Sequence, residues 1–114
     1  MIDLDAIVVE QTENSVAVLI ELHHDQFFFR GHFDSQPILP GVAQLHWAIE
    51  AAQRFLAVRG PFRSVRNLKF RRVLVPPNTV RLSLSRLATA GEFRFSYSIG
   101  AQEYSTGQLR FDVA

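Results

Sequence analysis

One stretch of the chain holds residues able to move a proton beside a carbonyl. It reads Phe28-Phe29-Arg30-Gly31-His32-Phe33, then, three residues later, Pro37-Ile38-Leu39-Pro40-Gly41-Val42. His32 sits in a glycine-flanked loop among aromatics, eight residues ahead of a Pro-Gly helix start. The first N–H groups of a helix have no partner within it and carry the positive end of its dipole. An oxyanion or a polarised thioester carbonyl can therefore bind at Gly41 and Val42. A neutral imidazole near that carbonyl is placed to take a proton from the adjacent carbon.

The elements that must position these groups follow from periodicity. A short strand is expected over Ala6–Gln11, and a second over 14–23, where Val16, Val18, Ile20 and Leu22 alternate with polar neighbours. Gly31, Pro37 and the polar Asp34-Ser35-Gln36 make 27–39 a loop. One helix is expected over 40–58, with Val42, Leu45, Ile49, Ala52 and Leu56 at helical spacing and Ala48 and Ala51 keeping its flanks small. Gly60-Pro61 supplies its stop signal. Strands are then expected over 65–75, around Val80, Leu82 and Leu84, around Phe93, Phe95, Tyr97 and Ile99, and over 104–113, with turns at Pro76-Pro77-Asn78 and Ala90-Gly91. Two strands, a long helix and four strands imply an α+β fold, an antiparallel sheet wrapped on a central helix.

With 114 residues, 47% of them hydrophobic and ten of them Phe, the chain makes one domain, 1–114, with a substantial core. The absence of cysteine excludes disulfides, thiolate metal sites and a Cys nucleophile, and fits a reducing compartment. No segment is apolar for the length of a membrane span, so a cytoplasmic protein is expected. The net charge is only +1, yet eight of the eleven acids precede residue 58 and ten of the twelve bases follow it. Arg59, Arg63, Arg66, Lys69, Arg71 and Arg72 fall in one stretch with no acid between them. That stretch is either a solvated strand face or a dock for an anionic partner.

The segment from Gly31-His32-Phe33 through Pro37-Ile38-Leu39-Pro40-Gly41-Val42 resembles the signature of the bacterial beta-hydroxyacyl-[acyl-carrier-protein] dehydratases. Leu68-Lys69-Phe70-Arg71-Arg72-Val73-Leu74-Val75-Pro76-Pro77 resembles the strand and turn that follow the helix in that family. The resemblance implies a hotdog fold and a homodimer with two active sites at the subunit interface. It implies a substrate delivered as a thioester on the phosphopantetheine arm of acyl carrier protein, and no metal or other cofactor. His32 matches the family's catalytic histidine and the Gly41 N–H its carbonyl-polarising donor, with Phe33 and Val42 beside them as substrate-binding residues. Because the family's partner is acidic, the resemblance favours the six bases as its dock.

The chain departs from the family at one position. Five residues after the glycine of Pro-Gly, where the family has a carboxylate from the opposite subunit, stands His46. Dehydration needs a proton donor near the leaving hydroxyl, and an imidazolium titrates close to working pH. Glu50 lies one helical turn beyond His46, where the family has glutamine, and a carboxylate there favours the charged imidazole. His46 backed by Glu50 is thus a candidate replacement acid. Alternatively His46 marks a lost activity, in a silent subunit that binds acyl carrier protein or completes a heterodimer with a second dehydratase-like subunit. Such proteins occur in clusters for aryl polyenes and related unsaturated lipids, a placement by analogy. A hotdog thioesterase is a third option, which His46 does not help. His23 and His24 neighbour each other on a strand end and point to opposite faces, so the four histidines do not suggest a metal site. Trp47 and Phe27-Phe28-Phe29 are read as core or interface, with some able to line an acyl tunnel. No nucleic-acid motif accompanies the bases.

Overall fold

The computed structural model describes residues 6–23 and 37–113. Six strands and one helix follow in the order β1 (Ala6–Gln11), β2 (Ser15–Leu22), α1 (Gly41–Phe55), β3 (Phe62–Phe70), β4 (Asn78–Arg86), β5 (Glu92–Ile99) and β6 (Gln102–Phe111). The strands form one antiparallel sheet in the order β1-β2-β4-β5-β6-β3. The sheet wraps α1, which is the expected α+β hotdog arrangement. The expected loop residues 27–36, together with His24, lie outside the described residues.

Alternation fixes which strand faces meet the helix. Val16, Val18, Ile20 and Leu22 of β2, Val80, Leu82 and Leu84 of β4, and Phe93, Phe95 and Tyr97 of β5 are all buried. Each large apolar side chain so placed contributes on the order of 2 kcal/mol of transfer free energy. Aromatic edges interlock within this layer, with Phe93 against Phe111 at 5.7 Å and Phe95 against Tyr97 at 6.0 Å between ring centroids.

The most buried side of the helix is the one carrying its small residues and Trp47. Its buried residues are Ala43, Gln44, Trp47, Ala48, Ala51 and Ala52. Of the apolar residues at the expected spacing, Ala52 and Leu56 are buried, Leu45 and Ile49 are partly buried against the core, and Val42 is 65% exposed. Alanines let the helix axis approach the sheet closely, and Trp47 fills the remaining volume. Leu45 and Ile49 pack at the margin of this core, and Val42 faces outward.

Helix α1 also ends three residues before the expected 58. Leu56 is its C-cap, and Ala57 adopts a left-handed φ of 52°. Neighbouring strands cap the last carbonyls: Gln11 Nε2 donates to Phe55 O at 2.9 Å and Arg86 Nη2 to Leu56 O at 2.7 Å. Gly60 therefore does not end the helix. A Cβ there would collide with the Asp112 carbonyl, so this glycine permits a close backbone crossing.

Strand β3 starts at Phe62 and ends at Phe70, earlier than the expected 65–75 at both ends. The N–H groups of Arg71 and Arg72 both donate to Tyr104 O, at 2.9 and 3.2 Å, which turns the chain off the ladder. Leu74 O then accepts from Leu39 N at 2.7 Å, tying this crossing segment to the start of α1. Strand β2 is one residue shorter at each end than expected, and β6 lies two residues earlier at each end.

Candidate active site

The Pro-Gly helix start is built as the sequence suggests, with one addition. Pro40 is the N-cap, with φ −61° and ψ 147°, and no described side chain caps the helix. Pro40 O accepts from the N–H groups of Ala43 and Gln44, both at 3.1 Å. No described backbone carbonyl accepts from Gly41 or Val42. The first turn contains no acidic side chain, so nothing on the helix itself offsets its positive end. The addition is Phe70, whose ring lies over Gly41. A Cβ at position 41 would stand 2.7 Å from Phe70 Cζ, so only glycine allows this approach.

His46 is exposed, one turn beyond the exposed Val42 on the outward side of the helix. Glu50 follows one turn later with 18% of its side chain accessible, and it pairs with Arg54 Nη1 at 3.8 Å. The structure thus brings Val42, His46 and Glu50 onto one side of α1, while Gly41, nine residues before Glu50, lies half a turn around the helix from it. His32 and Phe33 lie outside the described residues. Phe70, over Gly41, is 50% exposed, and its chain neighbours Leu68 and Val73 are 38% and 59% exposed.

Beneath the helix start lies a buried polar network. Gln44 is 3% exposed and its Nε2 donates to Leu39 O at 3.2 Å. Its Oε1 accepts from Ser105 Oγ at 2.7 Å, and its backbone O accepts from Tyr97 OH at 2.5 Å. Burial pushes the Tyr97 phenol well above its usual range, which keeps it protonated and donating.

The six bases are all exposed, and two of them are paired. Arg63 pairs with Asp112 at 3.1 Å and Arg66 with Glu92 at 3.9 Å, acids distant in sequence. Arg59 follows the C-terminal end of α1, roughly 20 Å from Gly41 along a helix of this length. Lys69, Arg71 and Arg72 instead flank Phe70 at the site end. His23 is exposed and lies 3.1 Å from Glu21. Among the described residues no group of three or more His, Asp or Glu side chains could hold a metal ion. None of their helices is long and apolar enough to cross a membrane.

The profile of the ApeI-like family, described as ApeI dehydratase, matches residues 8–108. The chain belongs to the ApeI-like dehydratase family. Its members' architecture is closely reproduced: a chain of the dehydratase heterocomplex ApeI:P from Xenorhabdus doucetiae superposes with a TM-score of 0.85 at 30% identity, covering 96% of this chain and 99% of that one. An uncharacterised protein from Erwinia carotovora subsp. atroseptica superposes with a TM-score of 0.76 at 36% identity, over 92% of this chain and 89% of its own. The 3-hydroxyacyl-[acyl-carrier-protein] dehydratase FabZ of Clostridium kluyveri is 28% identical over 99 residues, 78% of this chain and 69% of that protein. Family membership accounts for the signature but leaves two residues that sequence reasoning missed. Phe70 carried no signal, since its contact with Gly41 depends on how β3 is placed. Gln44 did: it is a polar residue within the run of Ala43, Trp47, Ala48 and Ala51, at the spacing of a buried face.

Proposed function

We propose that the chain removes water from a 3-hydroxyacyl thioester on acyl carrier protein, giving the trans-2-enoyl thioester, in cytoplasmic fatty acid or aryl polyene type biosynthesis. The observation that carries this is a Pro40-Gly41 helix start with no described side-chain cap and an exposed His46 on the same helix, in a chain of the ApeI-like dehydratase family. The thioester oxygen accepts from the Gly41 N–H, which stabilises negative charge on that oxygen. Neutral His32 takes the proton from C2. Protonated His46, backed by Glu50, donates to the C3 hydroxyl, the C3–O bond breaks, and water leaves as the C2–C3 double bond forms. The two histidines do opposite work, one as base and the other as acid.

His46 points away from its own core, and this supports a dimer in which each histidine serves the other subunit's site. Strand β3 ends the sheet and carries the exposed Leu68 and Phe70, and such an edge with apolar flanks is suited to pairing with a second subunit. Carrier protein docks through Lys69, Arg71 and Arg72, which neighbour Phe70 in the chain, rather than through all six. A second reading, a silent subunit completed by a partner, is favoured by His46 in place of a carboxylate and by the ApeI:P neighbour being a heterocomplex.

Turnover of aliphatic and aryl 3-hydroxyacyl thioesters by wild type, His32→Ala and His46→Ala separates these. Conjugated product lost in both variants supports the two-histidine dehydratase. Loss only in His32→Ala removes His46 from the chemistry and moves the acid to Glu50. An inactive wild type, with thioester and thiol unchanged, favours the silent subunit, and released thiol favours a thioesterase.

A further inference from the structure

We propose that Gln44 is a positioning residue that holds the Leu39-Pro40-Gly41 junction, and through it the Gly41 N–H, in register with the sheet. This rests on the dehydratase reading, in which that N–H polarises the thioester. An amide on the buried side of a helix is unfavourable unless its groups are bonded, and a leucine would pack there more cheaply. Gln44 is bonded at both ends of its side chain, and the bonds run in one direction. Ser105 of β6 donates to Gln44 Oε1, and Gln44 Nε2 donates to the carbonyl of Leu39, the residue before the N-cap.

Leu39 is thereby fixed at both polar groups, since its N–H donates to Leu74 O at 2.7 Å. Pro40 has a ring-restricted φ, so an anchored Leu39 leaves little freedom before Gly41. Such an anchor matters here because the helix has no described side-chain cap and begins with glycine, the most permissive residue. A second link converges from the same place. Ser105 stands opposite Phe70 in the β3–β6 ladder, and the Phe70 ring covers Gly41. Tyr97, opposite Ser105 on its other side, donates to the Gln44 backbone carbonyl. One position of the sheet thus supports the helix start from below, through Gln44, and from the side, through Phe70.

The test is Gln44→Leu in the full chain, with a labelled thioester carbonyl followed by infrared difference spectroscopy on a bound, unreactive 3-hydroxyacyl thioester analogue. Kinetics and Gly41 amide exchange are read alongside. The expected result is a fall in kcat of about 10- to 100-fold with KM within about threefold, as misplacement of a catalytic donor produces. The carbonyl band moves toward its position in water, and Gly41 exchanges faster. Ser105→Ala removes one bond of the chain and should show the same changes, smaller; it serves if Gln44→Leu does not fold. The two substitutions together should cost less than the sum of each alone. A folded variant with wild-type kcat and band position would overturn the role of Gln44 while leaving the dehydratase intact. A wild type that turns over no 3-hydroxyacyl thioester would overturn both.

Discussion

Two glycines meet aromatic rings at nearly the same distance, and their replacement by alanine should have opposite consequences. A Cβ on Gly107 would stand 2.6 Å from Phe95 Cε2 and 2.8 Å from its Cζ. Ordinary carbon contacts are about 3.5–4.0 Å, so the overlap is close to 1 Å. Phe95 is 1% exposed, pairs directly with Gly107 across the β5–β6 ladder and is packed edge-on against Tyr97, so it has nowhere to go. Overpacking of this kind costs about 1–3 kcal/mol. The stiffer unfolded chain returns about 0.4–1 kcal/mol. The expected net loss for Gly107→Ala is roughly 1–2 kcal/mol, a Tm lower by about 4–8 °C, at about 4 °C per kcal/mol for this size. At Gly41 the obstructing atom is the tip of Phe70, which is 50% exposed and can swing into solvent. Gly41→Ala should therefore hold its stability within about 0.5 kcal/mol, the ring's displacement offset by the same unfolded-state gain. Its activity should fall by about tenfold or more, because the methyl and the displaced ring disturb the donor's surroundings. Thermal and urea unfolding at equal protein concentration, with enoyl formation assayed in parallel, check both. Gly107→Ala as stable as wild type, or Gly41→Ala equally destabilised, would refute the packing argument.

Three further outcomes are expected. Above pH 10 an unfolded tyrosine loses its proton while buried Tyr97 keeps its own, so stability present below that pH declines as pH rises, by at most about 1.4 kcal/mol per pH unit. Tyr97→Phe should flatten this alkaline decline in urea-unfolding free energies; an unchanged slope would contradict it. Arg86 donates to Leu56 O at 2.7 Å and its guanidinium lies 5.1 Å from the Phe93 ring centroid, so Arg86→Met should cost about 1.5–3 kcal/mol by equilibrium unfolding, as loss of a charged donor to a helix end does. Reversing Lys69, Arg71 and Arg72 to Glu should raise KM for acyl carrier protein substrates at low salt more than reversing Arg59, Arg63 and Arg66, with the difference shrinking as salt rises.

The strands were legible because one face is buried and the other is not, which writes alternation into Val16 to Leu22 and Phe93 to Tyr97. The helix was legible as a helix, but spacing alone did not show which of its apolar residues lie deepest. Spacing locates apolar stripes, and here two compete: Val42, Leu45 and Ile49 on one side, and Ala43, Trp47, Ala48 and Ala51 on another. The smaller side faces the sheet because it permits closer approach, a property of the pair of surfaces and not of the helix alone. The helix end was misplaced for a similar reason, since Gln11 and Arg86 from distant strands cap it before Gly60 is reached. At the site, the Pro-Gly start was readable locally and His46 through the family pattern. The network through Gln44, Ser105 and Tyr97 joins residues up to 61 positions apart, and only the folded chain shows it. Arg63 and Arg66 looked unopposed because their partners, Asp112 and Glu92, lie far along the sequence.

The most direct measurement is the intact mass of acyl carrier protein loaded with a 3-hydroxyacyl group, before and after incubation with the purified protein. Loss of one water, with the acyl thioester still attached and the change absent with His32→Ala, is the predicted result. A mass that never changes, or one that returns to carrier protein bearing free phosphopantetheine thiol, would contradict the proposed dehydration.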